Sequence, residues 1–107
     1  AHVCTAAQLR QVPDGTRVRI AGIVTHRQRP QTAAGVIFLG LEDETGLMNV
    51  MVSPGLWQLN KTVARTSKAL VIRGIVQNAT GAVNVVADKL EPLAMGEWLS
   101  RGSRDFR

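Results

Sequence analysis

Residues 36–52, reading VIFLGLEDETGLMNVMV, leave few folds open to the chain that contains them. Two apolar, β-favouring runs, 36–41 and 47–52, flank the polar tetrapeptide Glu42-Asp43-Glu44-Thr45 and Gly46, a residue able to take the positive φ of a tight turn. The pattern predicts a β-hairpin. Side chains alternate along a strand, so Phe38, Gly40 and Glu42 share one face and Ile37, Leu39, Leu41 and Asp43 the other. On the return strand Leu47, Asn49 and Met51 alternate with Met48, Val50 and Val52. One face is apolar up to the turn and requires a core. The other carries an aromatic ring, a glycine and an amide, groups suited to touching a ligand.

The elements around the hairpin follow from the same reasoning. Thr5 stands as the N-cap of a short helix with Gln8 at the capping-box position, and Pro13-Asp14-Gly15 ends it, leaving Leu9 and Val12 to close one end of the fold. Residues 17–25, RVRIAGIVT, alternate as a long strand with a bend at Gly22. Residues 26–35 are polar and basic and read as a loop. After the turn Ser53-Pro54-Gly55, the residues Leu56, Trp57, Leu59 and Val63 fall at helical spacing, with Lys61 and Arg65 outward and Trp57 in the core. Runs 69–77 and 82–90 are two further strands joined by the turn Asn78-Ala79-Thr80-Gly81. Five strands with a helix between the third and fourth is the element order of the OB-fold, a Greek-key barrel that binds oligonucleotides. The fold expected is therefore all-β: a five-stranded OB barrel with a short N-terminal helix over residues 1–99 and a flexible basic tail over 100–107.

Composition narrows function by exclusion. A chain of 107 residues supports one core, and 45% hydrophobic residues is too many for a disordered segment. Cys4 has no second cysteine and lies in the expected frayed start, which excludes an internal disulfide and argues against zinc. Apolar runs fall short of the roughly 20 residues of a membrane span, and no signal pattern opens the chain, so a cytoplasmic protein is expected. A start at Ala1 instead of Met is read as a piece of a larger chain. Asn60-Lys61-Thr62 and Asn78-Ala79-Thr80 fit the glycosylation sequon by chance in that setting. Only two histidines are present, one at position 2, and alternation splits Glu42, Asp43 and Glu44 between faces. No catalytic residue, metal site or cofactor is assigned, and Asp43 is expected to bond the turn amides. The net charge of +5, from 13 Lys and Arg against 8 Asp and Glu, favours a polyanionic partner.

Several segments together carry a resemblance. GIVTHRQRP at 22–30, VIFLGLEDETGLMNVMVSPGLW at 36–57, ALVIRGIVQ at 69–77, VADKLEPL at 86–93 and SRDFR at 103–107 resemble the C-terminal OB domain of bacterial error-prone DNA polymerases. Those enzymes are C-family paralogues of the replicative polymerase α subunit; THRQRP and LEDETG are the most specific segments. More broadly, residues 38–49 resemble the OB domains that read the anticodon in class II aminoacyl-tRNA synthetases. There the aromatic at the Phe38 position stacks on a base, and an amide at the Asn49 position hydrogen-bonds one. The resemblance implies a parent enzyme for damage-induced, mutagenic DNA synthesis, working with a sliding clamp and mutagenesis accessory proteins.

The candidate contacts follow. Phe38 is expected on the face opposite the core, where a stacked base contributes about 1–3 kcal/mol, with Asn49 beside it. His26, Arg27 and Arg29, with Gln28, would overhang the groove from the loop, and Arg17, Arg19 and Arg73 would border it from strands. The expected ligand is single-stranded DNA and the expected state monomeric. A second reading is a protein-interaction platform that recruits the polymerase, using Trp98 and Phe106 near the tail; tRNA binding is a third.

Overall fold

The computed structural model describes residues 3–29, 35–78 and 82–94. Its elements are α1 (Ala6–Leu9), β1 (Arg17–Gln28), β2 (Ile37–Asp43), β3 (Gly46–Val52), α2 (Pro54–Leu59), α3 (Lys61–Thr66), β4 (Ala69–Gln77) and β5 (Asn84–Pro92). The strands close into a barrel in the order β1-β2-β3-β5-β4. Every adjacent pair is antiparallel except β3 with β5, which the long crossover through the helices makes parallel. This is the expected OB barrel.

The hairpin registers as its alternation requires. Ile37 pairs with Val52, Leu39 with Val50 and Leu41 with Met48, and all six are at most 3% exposed. They meet Ile20, Leu70, Ile72 and Val85 in the interior, where each large aliphatic side chain contributes about 1.5–3 kcal/mol relative to exposure. Gly46 takes a φ of 148°, as the turn demands. Long β1 serves two ladders: residues up to Ile23 pair with β4, and those from Ile23 onward pair with β2. Gly22 lies at the switch, where a Cβ would approach Glu42 O to 2.8 Å.

One end of the barrel is closed by α1. Its capping box is formed, with Thr5 Oγ1 accepting from Gln8 N and Gln8 Oε1 accepting from Thr5 N, and Leu9 is 2% exposed. The hairpin tip reaches this helix. Asp43 Oδ1 accepts from Thr45 N, Thr45 Oγ1 and Gly46 N, while Oδ2 accepts from Ala6 N at 2.9 Å. Thr45 Oγ1 in turn accepts from Ala7 N. The turn carboxylate thus bonds the turn amides, as expected, and also caps the helix above it.

Five expectations need correction. Residues 26–28 continue β1 instead of opening a loop, because His26, Arg27 and Gln28 pair with Gly40, Leu39 and Phe38; the bend lies at a register shift between Val24 and His26. The single helix is two, α2 and α3, meeting at Asn60, whose φ of −119° and ψ of 23° leave the helical region. Trp57 is buried as expected, but Leu59, on the same nominal stripe, is 85% exposed. Cys4 is not frayed: it is 8% exposed, bridges to Ile20, and its N–H donates to Arg19 O at 2.7 Å. The last strand also runs two residues later than its apolar pattern suggests. The loop at 30–34, residues 79–81 of the last turn, Trp98, Phe106 and the 100–107 tail lie outside the described residues.

Candidate nucleic-acid interface

The outer face of β1, β2 and β3 is built by the same alternation that fills the core. Phe38 stands on it, partly exposed, opposite Met51 on β3 and Gln28 on β1. Next along, Gly40 pairs with both His26 and Asn49. Phe38 and Asn49 are therefore diagonal neighbours across the hairpin, a separation of roughly 7–8 Å between Cα atoms, not a directly opposed pair. His26 completes the row on the far side of β2.

Gly40 explains how an imidazole fits there. A Cβ at this position would meet His26 Cε1, with Nδ1 at 2.5 Å and Thr25 Oγ1 at 2.7 Å, so the ring lies over the bare strand. The glycine is itself buried by what covers it. Thr25 Oγ1 donates to Gly40 O at 3.2 Å and sits at 3.2 Å from His26 Nδ1, which fixes the local arrangement from both sides. Phe38, His26, Gln28 and Asn49 then offer two flat rings and two amides on one continuous surface. Its far end is Glu42 and Leu47, both exposed beside the acidic turn.

The arginines divide differently. Arg17, Arg19 and Arg73 lie on the outside of the β1–β4–β5 wall, across the barrel from the hairpin, with Arg19 paired to Arg73. Arg17 Nη1 lies 3.3 Å from Asp88 Oδ2 and Arg73 Nε donates to Asp88 Oδ1 at 2.7 Å, so two of the three already hold a carboxylate. The structure does not bring them to the Phe38 face. Arg27 turns toward the helices: Nε donates to Ala64 O at 2.7 Å and Nη2 to Ser67 O at 2.9 Å, capping the last carbonyls of α3. Arg29 stacks over Trp57, its Cζ 5.9 Å from the ring centroid. Of the eight residues predicted from sequence, Phe38, Asn49 and His26 share a face, Arg27 and Arg29 flank its end, and the other three do not join it.

Sequence reasoning passed over Met51, which adjoins Phe38, and the pair Lys61 and Arg65, read only as outward helix positions. Their four-residue spacing was the available signal, since it sets both on one helical face. They line a cavity of about 430 Å³ with Arg27, Arg29 and Trp57.

A family model described as OB-fold nucleic acid binding domain matches residues 18–93. The chain belongs to that family. This OB domain is also 83% identical over 99 residues to an error-prone DNA polymerase of Corynebacterium efficiens and 72% identical over 105 residues to one of Corynebacterium glutamicum. These alignments span 92% and 98% of the chain but only 9% and 10% of the relatives. An error-prone DNA polymerase of Mycobacterium tuberculosis is 53% identical over 98% of the chain. Among solved structures, the asparaginyl-tRNA synthetase of Pyrococcus horikoshii bound to asparaginyl-adenylate is similar at a TM-score of 0.70 and 25% identity, covering 86% of this chain and 22% of the synthetase. The Stn1–Ten1 complex of S. pombe shares the OB domain's fold at a TM-score of 0.66 and 15% identity, over 83% of this chain and 66% of that one.

Proposed function

We propose that the outer face of β1–β2–β3 binds single-stranded DNA, as the OB module of an error-prone DNA polymerase that holds template near its catalytic core. The observation that carries this reading is Phe38 standing outside the barrel, flanked by His26, Gln28 and Asn49 on a shared surface. A ring so placed stacks on any base, because every base has a π-face, and the amides can donate and accept at base edges. The names of the close relatives supply the polymerase setting. Damage-induced translesion synthesis, a sliding clamp and mutagenesis accessory proteins belong to the proposed parent, whose polymerase chemistry lies outside this chain.

Titration of labelled oligo-dT by fluorescence anisotropy tests the face. Phe38→Ala is expected to weaken binding by about 1–3 kcal/mol, roughly 5- to 150-fold in Kd, measured at a temperature where circular dichroism shows the variant folded. Unaltered affinity would overturn the reading, and so would parent chain that fails to bind at low salt. An RNA competitor of the same length separates template holding from tRNA recognition. A second reading, a platform for a partner protein, is favoured by Leu59, which is 85% exposed on α2. Loss of partner capture in Leu59→Ser with oligonucleotide affinity intact would support it.

A further inference from the structure

We propose that the cavity between the outer end of β1 and the helices α2 and α3 is a phosphate pocket, and that it takes a backbone phosphodiester of the strand leaving the Phe38 face. The second half of this statement rests on the binding face proposed above; the first half does not. Arg27 and Arg29 approach the pocket from the strand side, and Lys61 and Arg65 from α3, around a volume of about 430 Å³. Among the described residues, the ion pairs engage Arg17, Arg73 and Lys89 and none of these four. Among the described residues, no carboxylate lines the pocket.

The arrangement favours an anion. Lys61 and Arg65 are like charges one turn apart on one helix face, a spacing at which they repel. Lys61 also stands at the first position of α3, where the helix dipole disfavours a cation. The Arg29 guanidinium lies over the ring of buried Trp57 at the outer range of a cation–π contact, which biases its planar fork toward the pocket. Arg27 keeps its fork on the α3 carbonyls and contributes its charge from a fixed position. Gln28 connects the two sites: it pairs with Phe38 on the face and lines the pocket. A strand with one base on Phe38 and its backbone crossing Gln28 delivers its next phosphates into this cavity.

The test uses the double variant Lys61→Gln/Arg65→Gln, whose parent side chains are exposed and make no hydrogen bond to other described residues. Each phosphate contact with single-stranded nucleic acid contributes about 0.7 to the slope of log K against log salt, so removing two charges is expected to lower that slope by about 1.4 and weaken low-salt binding roughly tenfold or more. Phe38→Ala is expected to weaken binding with the slope unchanged. In ¹⁵N-resolved NMR spectra, oligo-dT is expected to shift the Trp57 indole N–H and the α3 amides of the parent, and not those of the double variant. Inorganic phosphate should produce the same shifts weakly and be displaced by oligo-dT. An unchanged slope and unmoved Trp57 would overturn the pocket. Phosphate binding that oligo-dT does not displace would overturn the strand as its source. Loss of the Phe38 effect with the slope change retained would refute the binding face while leaving the pocket standing.

Discussion

Asp43→Asn isolates one bond at the hairpin tip. The parent carboxylate accepts three bonds on Oδ1, from Thr45 N at 2.8 Å, Thr45 Oγ1 at 2.7 Å and Gly46 N at 3.1 Å, and one on Oδ2, from Ala6 N at 2.9 Å. An asparagine keeps an oxygen for the turn but sets an amide NH₂ against the Ala6 N–H, donor facing donor. The bond lost is charge-assisted and partly buried, so the substitution is expected to cost about 2 kcal/mol. For a domain near 100 residues, 1 kcal/mol lowers the melting temperature by about 4–8 °C, which predicts a fall of roughly 8–16 °C. Asp43→Ala removes the turn bonds as well and should cost about 4 kcal/mol, less than four independent bonds because they share one carboxylate. Urea unfolding followed by tryptophan fluorescence measures both, with equal m-values from independent fits showing an unchanged unfolded state. Asparagine within about 0.5 kcal/mol of the parent would refute the view that the turn anchors α1.

The remaining predictions concern single features. Gly40→Ala is expected to eject the His26 ring, moving its imidazole proton resonances while changing stability by less than about 1 kcal/mol, since an exposed ring can rotate away; unmoved His26 resonances would contradict this. Arg27→Ala uncaps α3 by removing the donors to Ala64 O and Ser67 O, and should cost about 1.5–3 kcal/mol in urea unfolding. Arg27→Lys, lacking the fork, should recover less than half of that loss. Burial, and secondarily the charge of Asp43, push the Cys4 thiol above its ordinary range. The folded chain therefore holds that proton more tightly than the unfolded chain, and the contribution is complete below the unfolded thiol pKa of about 8.5 and lost as pH rises above it. Cys4→Ala should flatten this alkaline decline in unfolding free energy; an unchanged slope would remove Cys4 as its cause.

What was legible in the sequence was whatever alternation and short-range chemistry decide. Ile37, Leu39 and Leu41 point inward and Phe38 outward because a pleated strand allows no other division once one face is apolar. The Thr5–Gln8 capping box and the Asp43 turn are bonds between residues three or fewer apart, so their chemistry is written locally. Partners far apart in the chain were not legible. His26, Arg27 and Gln28 carry no apolar signal, and only the ladder to β2 makes them strand. Arg27 reads as a basic loop residue until its carbonyl partners, Ala64 and Ser67, are known. Alternation correctly sets Arg17, Arg19 and Arg73 outside the barrel, yet it is silent on which wall they occupy, because barrel closure is a property of all five strands.

The net charge of +5 is less informative than how the fold distributes it. At the hairpin tip, Asp43 is consumed by backbone donors, and on the β1–β4–β5 wall Asp88 sits against Arg17 and Arg73. The hairpin tip is thereby internally satisfied, while on the wall a single Asp88 offsets part of the charge of Arg17 and Arg73, with Arg19 beside them. The helix-end pocket, in contrast, gathers Arg27, Arg29, Lys61 and Arg65 with no carboxylate among its described lining residues. Coulomb energy at a protein surface falls off within about a Debye length, roughly 8–10 Å, so an approaching strand responds to this local surplus and not to the total. Gln28 joins the surplus to the Phe38 row, so the proposed face is electrostatically asymmetric: cationic at the helix end, apolar and amide-bearing around Phe38, and acidic at the far end beside Glu42. On the proposed binding face this places backbone phosphate toward the helices and away from the hairpin tip, whichever way the strand runs.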